Sequence, residues 1–262
     1  MYLKDSKTVV IKIGSSLLIN DNKIIREKWL LEFAKDIKEL QKLKKNIVIV
    51  SSGAIALGCK KLQLNKKTLK LDKSQAVASI GQIELMNLFK KTFSSNKINI
   101  SQILITLEDT EQRRRAINAK RTFENLFELN FVPVVNENDS IATSEIKYGD
   151  NDRLASRVAQ ISGADCLILL SDVDGLYSKN PKIHKNAKLI KEIKNIDSKI
   201  ENFSNKISIN YTDNEFELHG RSSDIISYLL QMAENELIQK FTLSVYHLES
   251  GRFYLKVRAK QT

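Results

Sequence analysis

The run Asn136-Glu137-Asn138-Asp139, followed by Glu145-Ile146-Lys147-Tyr148-Gly149-Asp150-Asn151-Asp152, holds more amides and carboxylates than a chain can bury without partners. Its spacing lets several of them converge on a zwitterionic small molecule, whose ammonium takes carboxylates and whose carboxylate takes N–H donors. Asp150 or Asn151 also suits the N-cap of a helix over residues 152–161, a role compatible with binding. Lys12-Ile13-Gly14-Ser15-Ser16 combines an ammonium, two hydroxyls and backbone N–H groups freed around Gly14, a set that suits a phosphate. It is not a Walker A loop, because G-x-x-x-x-G-K-S/T is absent, and a lysine in an apolar strand is also met as a plain edge residue. In Ser51-Ser52-Gly53-Ala54-Ile55-Ala56 small residues would let a ligand touch backbone amides, or would simply turn the chain into a helix. Ser171-Asp172-Val173-Asp174-Gly175-Leu176-Tyr177 offers Ser171 and Asp172 to a base, a ribose or hydrated Mg²⁺, and Tyr177 to stacking. Its Asp-x-Asp-Gly opening is that of a calcium loop, but the place of the closing Glu is taken by Ile183.

These segments must be held by elements, and the hydropathy pattern supplies them. Short β-branched runs at Thr8–Ile13, 46–50, 100–107, 131–135 and 166–171 read as strands. Between them, residues 25–43, 74–93, 113–129 and 152–161 carry apolar residues three and four apart, and in the last Leu154, Val158 and Ile161 form one stripe. This alternation predicts a three-layer α/β/α sandwich with a largely parallel central sheet. In such a sheet ligands sit at the carboxyl ends of strands, which is where the polar segments fall. Later, residues 222–240 read as a buried helix, followed by strands over 241–246 and 253–257. With no linker, repeat or low-complexity tract, a single domain is expected.

At 262 residues and 42% hydrophobic content the chain is long enough for a substantial core. A net charge of +11 raises the expectation of an anionic partner or substrate without choosing one. Cys59 and Cys166 are far apart in apolar settings, which excludes a disulfide scaffold and a Cys-rich zinc site. No apolar run reaches the roughly 18 residues of a membrane span, and the start lacks a signal-peptide core, so a soluble cytoplasmic protein is expected. His184, His219 and His247 lack metal-ligand spacing. The run Arg113-Arg114-Arg115, with Lys120 and Arg121, reads as a solvated helix face, because no aromatic residues interleave for base stacking; nucleic acid is not an expected partner.

Taken together, Lys12–Ser16, 52–56, Ile80-Gly81-Gln82, 132–139, 145–152, Gly163-Ala164-Asp165 and Gly175-Leu176-Tyr177 run in the order seen in the glutamate 5-kinases. The chain resembles this branch of the amino-acid kinase family, and the combined Asn-Glu-Asn-Asp and Gly-Asp-Asn-Asp segments separate it from carbamate, uridylate, aspartate and acetylglutamate kinases. The resemblance implies MgATP-dependent phosphorylation of the L-glutamate side chain, giving γ-glutamyl phosphate on the route to proline. It implies Lys12 and Asp152 as catalytic residues, with Ser52, Gly53, Asp139 and Asn151 binding glutamate. Gly14, Ser15, Ser171, Asp172 and Tyr177 would bind nucleotide, with magnesium carried by ATP and no direct protein ligand. It also implies proline as a feedback inhibitor, glutamyl-phosphate reductase as a partner, and a homodimer or homotetramer assembled through the helix at 113–129. One domain over 1–262 is expected, its N-terminal half binding glutamate and about 160–262 binding nucleotide, with no C-terminal PUA domain.

The tail departs from the pattern. Where the family carries Gly-Thr-Gly-Gly-Met-x-x-Lys, this chain reads Tyr211-Thr212-Asp213-Asn214-Glu215-Phe216-Glu217-Leu218-His219. Asp213, Glu215, Glu217 and Asp224 stand where phosphate binding takes positive charge. Arg221 or Lys206 would then supply the missing cation. The alternative reading is a catalytically impaired homologue that binds glutamate or proline as a sensor.

Overall fold

The computed structural model describes residues 2–20, 24–65, 68–142, 151–170, 177–178 and 186–190, and the backbone of 192–193, 210–212, 215–217, 240–247 and 253–260. The segment 143–150, Ser171, Asp172 and residues 222–239 of the helix predicted at 222–240 lie outside the described residues, and Lys240 is strand. The chain forms two compact units, Met1–Asp165 and Cys166–Thr262.

The first unit runs α1 (Tyr2–Asp5), β1 (Thr8–Ile13), α2 (Ser15–Leu18), α3 (Glu27–Lys42), β2 (Asn46–Ser51), α4 (Ala54–Lys61), α5 (Leu71–Ser94), β3 (Asn99–Ile105), α6 (Leu107–Glu111), α7 (Arg113–Glu128), β4 (Phe131–Glu137) and α8 (Asp152–Ile161). Its strands lie in the order β3-β4-β2-β1, all parallel. Every residue of β1 is buried, as are five of six in β2, which is why these strands read as unbroken apolar runs rather than alternating ones. The register sets the strand ends level: Ile13 pairs with Ser51, and Val50 with Val135, so the carboxyl edge presents Gly14, Ser52 and Asn136 side by side.

Helix packing fixes that edge. α3 buries Leu30, Phe33, Ala34 and Ile37, the spacing of one helical face. Phe33 meets Phe93 at 6.1 Å between ring centroids and Phe93 meets Phe89 at 5.5 Å, joining α3 to α5 through tilted aromatic contacts. α4 and α5 cross backbone on backbone: a Cβ on Gly81 would stand 1.8 Å from the Ala54 carbonyl oxygen, and one on Gly58 would stand 2.1 Å from that of Val77. α8 buries Leu154, Ala155 and Val158, while Ile161 is half-buried.

Several bounds differ from the sequence reading, among them α5, which begins at Leu71 and not at 74, and β4, which runs on to Glu137 and not to 135. The strand predicted to reach Leu107 stops at Ile105, because Thr106 begins a helix: its hydroxyl accepts from the Asp109 N–H at 3.2 Å, and Asp109 accepts from the Thr106 N–H at 2.8 Å. The segment at Gly53, open between a ligand-contacting loop and a turn into a helix, does turn into one, the two-turn α4.

The second unit contains β5 (Cys166–Leu170), β6 (Glu192–Ile193), β7 (Asn210–Thr212), β8 (Glu215–Glu217), β9 (Lys240–His247) and β10 (Phe253–Lys260). β10 pairs antiparallel with β5 and with β9, so the two late strands expected from hydropathy form one hairpin. β7 and β8 form a separate antiparallel pair over the acidic stretch. Cys59 and Cys166 are both buried. Among the described residues no helix is long and apolar enough to cross a membrane.

Candidate active site

Lys12 sits near the end of β1 with only 3% of its surface exposed, in a strand that also holds the buried Val9, Val10, Ile11 and Ile13. A lysine tolerates such burial only when its charge is matched. The match is Asp152, whose Oδ1 lies 2.6 Å from Lys12 Nζ, both side chains being almost fully buried. Asp152 opens α8, where the helix dipole also favours a carboxylate. The Lys12 side chain is therefore not an edge feature: it is a cation fixed at the carboxyl edge of a parallel sheet.

Asn151 takes the N-cap position of α8 but makes no capping bond there. Its Nδ2 instead donates to the Ser51 carbonyl oxygen and, at 2.6 Å, to Asn136 Oδ1. Asn136 Nδ2 donates in turn to Gln82 Oε1 at 2.8 Å. All three amides are buried, on α8, β4 and α5. The loop after β2 is tied to β1 by Ser52 Oγ, which donates to the Ile13 carbonyl oxygen at 3.2 Å. Gly53 has φ 112° and ψ 3°, a left-handed conformation that a side chain would strain. A Cβ built on it would stand 3.8 Å from Ser15 Cβ, so the loops after β1 and β2 touch. Gly14 itself is extended, at φ −67° and ψ 148°, with no conformational demand for glycine, and precedes the exposed Ser15 and Ser16.

The chain leaving β4 is pinned from two sides. The Asn138 N–H donates to the Ile105 carbonyl at 3.1 Å, and Gln75 Nε2 of α5 donates to the Ala142 carbonyl at 2.8 Å. Asp139 is half-buried in this turn. Asp165 Oδ2 accepts from the Lys7 and Thr8 N–H groups at 2.7 and 2.9 Å, anchoring the start of the strand that carries Lys12. On α6, burial pushes the Asp109 carboxyl up, but the Thr106 N–H, the Thr106 hydroxyl and Arg115 outweigh it and hold Asp109 below its ordinary value.

The structure thus brings Lys12, Asp152, Asn151, Ser52, Gly53 and Ser15 to one edge of the sheet, with Asp139 in the turn after β4. Tyr177 belongs to the second unit, where it forms an isolated bridge with Leu189. Three residues without an assigned role join the group: Ser51 through its carbonyl, and Asn136 and Gln82 through their amides. Gln82 carried a signal, since it interrupts the buried face formed by Ala78, Gly81 and Leu85. A buried ammonium held by a carboxylate, flanked by loop amides and hydroxyls, is suited to neutralising a transferring phosphoryl group.

A model of the Amino acid kinase family matches residues 7–214. The chain belongs to the amino acid kinase family. This amino acid kinase chain is 79% identical over 206 residues to a glutamate 5-kinase of Pelagibacter ubique, covering 79% of the chain and 56% of that relative. It is 49% identical over 203 residues to a glutamate 5-kinase of Rhodopseudomonas palustris, covering 77% and 54%. The chain therefore spans about half the length of the curated relatives it matches. Among solved structures, an isopentenyl phosphate kinase matches with a TM-score of 0.52 and 18% identity, over 76% of this chain and 84% of that one. That likeness bears on the fold, an α/β/α sandwich with a largely parallel sheet.

Proposed function

We propose that this chain transfers the γ-phosphoryl group of ATP to the side-chain carboxylate of L-glutamate. The observation that carries the reading is the 79% identity to a glutamate 5-kinase, within a family match that includes every candidate site residue. The buried Lys12–Asp152 pair gives that identity a mechanism. A carboxylate oxygen attacks the γ-phosphorus, the bond to the β,γ-bridging oxygen breaks, and ADP leaves. No proton moves, because glutamate is ionised at neutral pH, so no general base is needed. Two anions must nevertheless be brought together, and catalysis consists of positioning and charge neutralisation.

In this reading Lys12 meets the transferring group and Asp152 fixes where its ammonium stands. Ser52, Gly53, Asp139 and Asn151 bind glutamate, Gly14 and Ser15 approach the phosphates, and Ser171, Asp172 and Tyr177 take the nucleotide. Magnesium, arriving with ATP, supplies further charge neutralisation on the phosphates. Asp152 is a hard oxygen donor of the kind such an ion accepts, although its carboxylate is already engaged by Lys12. A homodimer or homotetramer, proline as feedback inhibitor, glutamyl-phosphate reductase as partner and a cytoplasmic location belong to the same reading.

The test is ADP formation by the purified protein with MgATP, with and without L-glutamate, trapping the acyl phosphate with hydroxylamine. Glutamate-dependent ADP and hydroxamate in equal amounts are expected. Folded protein that binds glutamate without forming hydroxamate would instead mark an impaired homologue.

A further inference from the structure

We infer that Gln82 is a positioning residue that fixes the polarity of Asn151, so that Asn151 presents a hydrogen-bond acceptor, and not a donor, to its ligand. The inference rests on the glutamate-binding reading of Asn151 and adds which group of the substrate that residue selects.

The argument runs along the amide chain from its unambiguous end. The Ser51 carbonyl can only accept, so the Asn151 atom facing it must be Nδ2. The same Nδ2 stands 2.6 Å from Asn136, whose facing atom must then be Oδ1. Asn136 therefore turns Nδ2 towards Gln82, which must answer with Oε1 at 2.8 Å. Each amide fixes the next, and a flip of any one sets donor against donor or acceptor against acceptor. Both Asn151 N–H bonds are consumed by protein, and its Oδ1 is the atom left for a ligand. An acceptor at that point matches an α-ammonium and disfavours a carboxylate.

Gln82 closes the chain at a cost that marks its function. Its Nε2 is buried and meets no acceptor among the described residues. A buried donor without a partner is expensive, and an apolar residue on this face of α5, between Ala78 and Leu85, would avoid that expense. What an apolar residue cannot supply is the Oε1 that holds Asn136.

Two variants separate orientation from packing. Gln82→Met keeps the length and removes the acceptor; Gln82→Glu keeps an acceptor oxygen facing Asn136. The first readout is side-chain amide hydrogen exchange of Asn136 and Asn151 in asparagine-labelled, ligand-free protein. Protection in the wild type and in Gln82→Glu, with at least a tenfold loss in Gln82→Met at retained backbone protection, is expected. The second readout is the preference for L-glutamate over glutarate, which lacks the ammonium, measured by hydroxamate formation. It should fall about tenfold in Gln82→Met through KM for glutamate, with KM for ATP unchanged, and stay within threefold in Gln82→Glu. Equal protection in the wild type and Gln82→Met, or an equal loss in both variants, overturns the inference. A wild-type chain that shows the exchange pattern but makes no hydroxamate leaves the polarity intact and rejects the kinase reading alone.

Discussion

Replacing Gly81 by Ala tests whether the crossing of α4 and α5 sets the active-site edge. The added Cβ would lie 1.8 Å from the Ala54 carbonyl oxygen and 2.5 Å from the Gly58 nitrogen. Both are backbone atoms, so no side chain can swing aside and the two helices must separate. Alanine itself favours a helix over glycine by about 1 kcal/mol, while forced overpacking costs about 1–3 kcal/mol and sometimes more. Because the obstacle is main chain, the overpacking cost exceeds that range, at about 3–4 kcal/mol, and the net loss after the helix gain is about 2–3 kcal/mol. For a chain of this size that lowers the melting midpoint by roughly 4–12 °C. Ser79→Ala, an exposed site on the same helix, controls for propensity and should leave the midpoint unchanged or slightly raised. The clash falls on Ala54, the residue that follows Gly53, so glutamate KM should rise several-fold in the protein that remains folded. Thermal melts and hydroxamate kinetics read both effects. A Gly81→Ala protein as stable and as active as the wild type would refute the backbone-on-backbone crossing and its link to the site.

Two further outcomes follow from buried and capping charges. Lys12→Met and Asp152→Leu should each destabilise by about 3–5 kcal/mol, since each removes one partner of a buried ion pair, while the double variant should lose clearly less than their sum. Urea unfolding of the four proteins gives the coupling, and additive losses would show that the pair is not buried as described. Asp109→Asn should destabilise at neutral pH by on the order of 1 kcal/mol, the scale of a helix cap. Because the folded Asp109 carboxyl lies below its unfolded value of 3.8, its contribution is complete above that pH. It is lost as pH falls through the folded value, so wild type and variant should converge in acid unfolding curves.

The sequence made parts of this fold legible and hid others for definite reasons. The bounds expected for β1 and α8, residues 8–13 and 152–161, are those observed, because each is one pattern closed by a break on either side, Lys7 and Gly14 for β1 and Asn151 and Ser162 for α8. Only the start of α4 was legible, as a turn into a helix: Ala54–Lys61 is short and contains Gly58, which weakens a helix locally and is needed only because α5 passes within backbone contact. Gly81 and Gln82 stood in a recognisable motif, but one faces a helix 23 or more residues earlier and the other an amide 54 residues later, contacts that no local pattern encodes. Asn151 shows the same limit. Its type and position fit an N-cap, yet its amide turns to the Ser51 carbonyl, 100 residues back. Lys12 was ambiguous for the same reason, since the partner that explains it, Asp152, lies on a helix at the far end of the same unit.

The most direct measurement is hydroxamate turnover by Lys12→Ala, made on protein shown by circular dichroism and melting to be folded, at saturating MgATP and L-glutamate. If the buried ammonium neutralises the transferring phosphoryl group, turnover should fall by about 10²-fold or more while glutamate still binds. Turnover within a few-fold of the wild type would contradict the placement of phosphoryl transfer at the Lys12–Asp152 pair.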